Sequence, residues 1–207
     1  MNIPIIFEDD FLLIADKPAG LLSVPTPKNE SRTLTSILNQ DALEKKAAYQ
    51  LYPCHRLDRD TSGLVIYAKS KSIETKMANA FRNREISKRY IAFVHGKSIQ
   101  PQGTISCAIE GKSALTKYKL NQQRTDYGVV EISAVTGRTN QIRIHFKSIG
   151  HPLVGEDKFI FRKDFALRAK RVCLHAQYLR FKHPQTDKIL TAESPLASDM
   201  QKFLEEH

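Results

Sequence analysis

The 207-residue chain has no G-x-x-x-x-G-K-[ST], no G-x-G-x-x-G, no H-E-x-x-H and no G-x-S-x-G. Each gap removes a chemistry: nucleotide hydrolysis on a phosphate-cradling loop, dinucleotide redox, zinc proteolysis and esterase catalysis. Cysteine is scarce. Cys54, Cys107 and Cys173 lie far apart with no C-x-x-C pair, so neither a disulfide framework nor a zinc ribbon is supported, and a reducing compartment is the simplest reading. Hydrophobic runs are short as well. The first, IPIIF, is followed at once by Glu8, Asp9 and Asp10, which is wrong for a signal segment, and no run approaches the roughly 18 apolar residues of a membrane helix. These absences predict a soluble, cytoplasmic protein without a membrane span.

Positive charge, by contrast, is plentiful. Lys and Arg outnumber Asp and Glu by 32 to 22, a formal charge of +10, which attracts polyanions and puts nucleic acid first among partners. A generally basic soluble protein is the plainer reading of the same number. A chain this long can bury roughly 70% of the surface its unfolded form exposes, enough for a proper core.

Strand and helix patterns alternate along the chain. IPIIF and FLLIA flank an acidic turn and read as a hairpin, and KPAGLLSVPTPKNES reads as a loop that crosses the surface or lines a cleft. A short helix is predicted around TLTSILNQDALEKKA, with Thr33 as cap and Leu34, Ile37 and Leu38 as its apolar turn. LVIYAKS reads as a buried strand. SIETKMANAFRNR places Ile73, Met77, Ala80 and Phe81 on one helical stripe. KRYIAFVHG alternates as a strand with Tyr90, Ala92 and Val94 on one face. Strands follow at GTISCAI, LTKYKLNQ and YGVVEISAV. In VTGRTNQIRIHFKSIGHPLVG, Thr139 is the expected cap of a helix facing Ile142, Phe146 and Ile149 inward, with Gly150 as its stop. CLHAQYLRFKH and KILTAES add strands, and LASDMQKFLEEH a final helix. With no repeat or linker, the expectation is a single α+β domain over residues 1–207 with a mixed, mainly antiparallel sheet core and flanking helices.

The densest chemistry lies in CHRLDRDTSGL, residues 54–64. Were it extended, Arg56, Asp58 and Asp60 would point one way and His55, Leu57 and Arg59 the other, so that two carboxylates line one site. The plainer reading is a turn held by its own ion pairs, with Asp60, Thr61, Ser62 and Gly63 bonding the backbone. Periodicity does not separate Asp58 from Asp60. The scattered histidines, His55, His145, His151, His175 and His183, have no metal-ligand spacing and read as loop-orienting groups.

HRLDRDTSGLVIYAKS resembles the signature of the RluA family of pseudouridine synthases, and KPAGLLSVP, KRYIAFVHG, TGRTNQIRIHFKSIGHPLVG and LHAQYLRFKHP extend the resemblance in family order over most of the chain. His55 ahead of RLD distinguishes it from the related RsuA family, where a glycine usually stands. The resemblance implies the pseudouridine synthase catalytic fold and isomerisation of uridine in RNA: the N1–C1′ bond breaks and a C5–C1′ bond forms, with no cofactor or metal. It implies that Asp58 is the catalytic carboxylate and that Asp60 occupies a variable position. It makes Tyr90 the aromatic that stacks on the target base and a candidate base for C5, Arg143 the partner of the catalytic carboxylate, Arg56 the residue filling the space left by the uridine, and Leu174 a lining of the base pocket. Read alone, Tyr90 is an ordinary strand aromatic, Arg143 a solvated helix charge and Leu174 plain core.

The assignment fits the chemistry of a stacked base, which must be extruded before any side chain reaches C5 or C1′, at a cost of roughly a few kcal/mol that stacking on Tyr90 would partly offset. A guanidinium beside a carboxylate favours its ionised form. Two positions depart from the pattern: Asn140 replaces the usual histidine of TGRTHQ, and Glu156 replaces the usual Asp after HPxxG, with Asp157 one place later. An RNA-binding protein of the same fold without turnover is the alternative in a different class. The first hairpin starts near residue 3, leaving no place for an S4-type RNA-binding domain, so recognition is expected within the catalytic domain, through the basic FRNREISKRY and FRKDFALRAKR segments. The expected partner is a structured stem-loop of tRNA or ribosomal RNA, bound by a monomer.

Overall fold

The computed structural model describes residues 2–26, 30–159 and 167–207. The chain divides into two compact units. One comprises Met1–Ser87 and Tyr178–Pro195, the other Lys88–Gln177 and Leu196–His207. Each combines antiparallel strands with helices, the α+β class expected.

In the first unit, strands β1 (Ile5–Glu8) and β2 (Leu12–Lys17) form the expected hairpin. Asp9 closes its turn by accepting from the N–H groups of Phe11 (2.8 Å) and Leu12 (2.7 Å) on one carboxylate oxygen. Strand β2 pairs with β4 (Ser62–Ala68), which is buried at all seven positions, and the two-residue β3 (Tyr52–Pro53), absent from the sequence reading, pairs with β4 as well. Helix α2 (Lys71–Arg82) buries Ile73 and Met77 against Leu12, Ile14, Leu64 and Ile66, with Ala80 and Phe81 at the edge of the cluster, so the predicted stripe is the packing face. Full burial of a Leu or Ile contributes about 1.5–3 kcal/mol. Tyr67 alternates to the opposite face of β4, and its hydroxyl lies 3.1 Å from that of Thr35 on helix α1 (Leu34–Glu44). Thr33 caps α1 as expected, in a reciprocal pair with Ser36.

The second unit is built on β5 (Ser87–His95), β6 (Gln102–Ser106), β7 (Leu115–Gln123) and β8 (Tyr127–Ala134), in the order β5-β8-β7-β6. Alternation along β5 sorts two cores. Ala92 and Val94 join Ile142 and Phe146 of helix α3 (Gln141–Ser148), whereas Ile91 and Phe93 join Met200 and Phe203 of helix α4 (Ser198–Glu206). Strand β9 (Leu174–Lys182) begins in this unit and ends in the other, where β10 (Ile189–Glu193) pairs with it.

Two local expectations fail at α3. The residue at its cap is Asn140, in a left-handed conformation (φ 53°) with no capping bond from its side chain, rather than Thr139. Ile149 is 39% exposed because the helix ends at Ser148 and the chain turns away at Gly150 (φ 80°).

The three cysteines are free thiols, and burial pushes Cys54 and Cys173 up to about 12, which makes them inert. No helix among the described residues is long and apolar enough to cross a membrane.

Candidate active site

Asp58 lies in the first unit, on the loop from β3 to β4, and the backbone on either side of it is pinned. Before it, Leu57 is buried, its N–H donates to Ser23 Oγ (3.0 Å), and that hydroxyl donates back to Leu57 O (2.9 Å). After it, Arg59 O accepts from Gly20 N (2.9 Å) and from Lys17 Nζ (2.9 Å). Lys17 is fully buried and also donates to Pro18 O (2.9 Å) and Leu21 O (2.7 Å). One ammonium thus ties the KPAGLL loop to the RLDRD loop, and the half-buried Asp58 side chain is presented from a fixed backbone.

The loop is not one extended segment: the chain bends at Cys54 and His55. Thr61 N then donates to Asp58 O (3.2 Å), closing a turn over Arg59 and Asp60. The turn anticipated from sequence is present, but Arg59 pairs with Glu30, outside the motif. His55 Nε2 accepts from Ile66 N (3.1 Å) and its ring packs 4.9 Å from Phe81, so this histidine orients the loop. Arg56 is exposed. A cleft of about 510 Å³ beside Arg59 is lined by Gly20, Leu22 and Arg32.

Replacing Lys17 by methionine takes the ammonium donor from Pro18 O and from the buried Leu21 O and leaves Arg59 O with Gly20 N alone, at about 1–3 kcal/mol for a buried carbonyl left unpaired. Lys17→Met is expected to lower the urea midpoint of unfolding markedly and to expose the RLDRD amides to hydrogen exchange. An unchanged midpoint would show that the ammonium is dispensable.

In the second unit, Tyr90 is half-buried on β5, opposite Ile132, at the margin of the core that contains Ala92 and Val94. Arg143 is not a solvated helix charge: it is 7% exposed. Its Nε and Nη2 donate to the two oxygens of Glu156, each at 2.7 Å, Nη1 donates to Asn140 Oδ1 (3.1 Å), and the Phe159 ring lies 5.1 Å from Cζ. One Glu156 oxygen also accepts from the N–H groups of Asp157 (3.1 Å), Lys158 (2.8 Å) and Phe159 (3.2 Å). Burial pushes the Glu156 carboxyl up, but Arg143 and these backbone donors outweigh it and hold the group below its ordinary range.

Both departures from the family pattern therefore act on one residue. Asn140 and Glu156 fix the Arg143 guanidinium, and Glu156 rather than Asp157 faces it. Gln141, unremarked in the sequence, anchors the start of α3: its carbonyl accepts from Thr136 Oγ1 (2.6 Å) and Arg138 N (3.0 Å), and its amide donates to Leu115 O and Thr116 Oγ1 (both 3.0 Å). Leu174 is 3% exposed and packs in the core with Ile142 and Phe146.

Of the two basic segments, FRNREISKRY is not a uniform basic face. Arg82 and Arg84 are exposed, Lys88 is half-buried, and Arg89 pairs with Glu131 (3.2 Å). Of FRKDFALRAKR, residues 161–166 lie outside the described residues, and Arg171 makes a two-pronged pair with Asp199 (2.6 and 2.7 Å). Among the described residues no group of three or more His, Cys, Asp or Glu is placed to hold a metal ion.

Residues 11–148 match the family described as RNA pseudouridylate synthase. The chain is 32% identical over 222 aligned residues, covering 99% of itself and 73% of the other, to the Bacillus subtilis protein named uncharacterized RNA pseudouridine synthase YlyB. It is 34% identical, over 93% of each chain, to the dual-specificity RNA pseudouridine synthase RluA of Pasteurella multocida. A solved structure, human RNA pseudouridylate synthase domain containing 4, superposes with a TM-score of 0.81 over 97% of this chain and 91% of that one, at 22% identity, and so shares the fold. The chain belongs to the RNA pseudouridylate synthase family, whose members are isomerases that modify RNA.

Proposed function

We propose that the protein converts uridine to pseudouridine in a structured stem-loop of tRNA or ribosomal RNA, with Asp58 as its catalytic carboxylate. The observation that carries this reading is the doubly pinned backbone around Asp58, which fixes the point from which one carboxylate is presented for chemistry at a sugar. Asp60 sits within the turn and is not needed. Tyr90 stacks on the extruded base, Arg143 favours the ionised carboxylate, Arg56 occupies the space left in the RNA, and Leu174 lines the base pocket. These roles follow the family resemblance. The relatives named as ribosomal large subunit pseudouridine synthase D and as dual-specificity RluA support both RNA classes as substrates. No metal or cofactor enters the reaction, and the cytoplasm is its compartment.

Recognition is local in this proposal. A minimal hairpin of about 15 to 20 nucleotides, the reach of a domain of this size, is expected to be modified without the rest of its parent RNA, by a single copy of the chain and with affinity that falls steeply as salt rises. Turnover is compared on minimal hairpins, full-length tRNA and ribosomal RNA. Activity confined to full-length RNA or to assembled ribosomal particles would refute hairpin recognition.

A further inference from the structure

Lys88 stands two residues before Tyr90 on β5, so the alternation of the strand puts both side chains on one face. Its Nζ reaches the loop before α3 and lies 3.9 Å from where a β-carbon would stand at Gly137. Gly137 is exposed and carries no side chain, so the ammonium borders an opening. Burial along the rest of its length lowers the pKa of Lys88. A cation partly withdrawn from water is costly to maintain in a protein that needs it only for solubility, and it acts more strongly on a nearby negative charge than a solvated one does.

We propose that the Lys88 ammonium stabilises the negative charge that develops on the uracil ring when its bond to the ribose breaks. The inference rests on the reading of Tyr90 as the platform for the extruded base. When the N1–C1′ bond breaks, its electron pair stays with the uracil, and the charge spreads over N1, O2 and O4. The ring then bonds to C1′ through C5, C5 loses its proton and N1 gains one, so the reaction is an isomerisation without any oxidant or reductant. A cation on the same strand face as Tyr90 meets the carbonyl oxygens on which that charge gathers. Charge stabilisation of this kind matters most in the transition state and little in ground-state binding.

The test uses a leaving group of altered basicity. Fluorine at C5 withdraws electrons and makes the ring a better leaving anion, so a lost cation should matter less. Single-turnover consumption of the target nucleoside is measured at saturating enzyme for wild type, Lys88→Met and Lys88→Arg, on one hairpin carrying uridine or 5-fluorouridine at the target position. Lys88→Met is expected to lose about 100-fold on uridine RNA and about tenfold or less on 5-fluorouridine RNA. Lys88→Arg, which keeps the charge but moves it, should lie between Lys88→Met and wild type on uridine RNA and show the same fluorine effect in smaller measure. RNA affinity should stay within a few-fold for both. Should Lys88→Met prove unfolded, the fluorine effect in Lys88→Arg decides. Equal losses on the two RNAs, wild-type rates in Lys88→Met, or a loss confined to RNA affinity would overturn the proposal. Wild-type protein that consumes neither RNA would instead count against the assigned activity.

Discussion

Protein carrying Asp58→Asn is expected to release no detectable tritium from RNA labelled at C5 of uridine, while binding the same RNA within a few-fold of wild type and unfolding at the same temperature. The loop is held through backbone groups: Ser23 grips Leu57, and Gly20 and Lys17 grip Arg59. None of these bonds changes when the neighbouring carboxylate becomes an isosteric amide, so the loop keeps its shape. The lost charge, by contrast, removes any nucleophile or base at the sugar. Asp60→Asn, two positions further on in the turn, should keep substantial activity. Full turnover in Asp58→Asn would end the assignment.

Glu156→Ala should have the largest effect on stability. It removes the acceptors of Arg143 Nε and Nη2, on a residue that is 7% exposed, and the acceptor of three backbone N–H groups. Removing one partner of a buried pair costs about 3–5 kcal/mol, or roughly 10 °C in melting temperature for a chain of this size. Glu156→Asp, which restores the family's usual residue, should recover part of that loss. Because the folded protein holds the Glu156 carboxyl below its ordinary value of 4.5, the stabilisation is complete above that value and disappears as pH falls toward the folded one. The gap in melting temperature between wild type and Glu156→Gln should therefore narrow on acidification. A gap that is constant or widens would show that charge is not what the pair contributes.

The parts of this structure legible in the sequence are those set by periodicity. Ile73 and Met77 recur at helical spacing, the odd and even residues of KRYIAFVH sort into two cores, and Thr33 caps where a hydroxyl precedes an apolar turn. Asp58 is singled out from Asp60 only by the family motif, since alternation alone leaves the two equal. What remained hidden is side-chain to backbone bonding across long separations. Ser23 and Leu57 are 34 positions apart, and Lys17 and Arg59 are 42 apart. Periodicity along LLIADK does not show that the ammonium of its lysine turns inward, and the cap at Asn140 depends on Gln141, whose partners lie on β7 and in the preceding loop. The one signal available was a lysine followed by Pro and Gly at the end of a buried strand, where exposed carbonyls gather.

The first unit is discontinuous in sequence, taking Met1–Ser87 and returning for Tyr178–Pro195. During synthesis, at about 5–20 residues per second, its amino-terminal part waits several seconds outside the ribosome before β10 exists to pair with β9 or His183 and Ser194 exist to reach Asp9 (3.0 Å) and Asp16 (2.7 Å). Over that interval β2 and β4 are left with part of their cluster, Leu179, Phe181 and Ala192, still unmade. The bonds that fix the loop bearing Asp58 all lie within residues 17–66, so that loop is set early, whereas Tyr90, Arg143 and Leu174, proposed to work with it, leave the ribosome one after another, and a nascent chain stays unable to act on the RNA around it until Leu174 has been made.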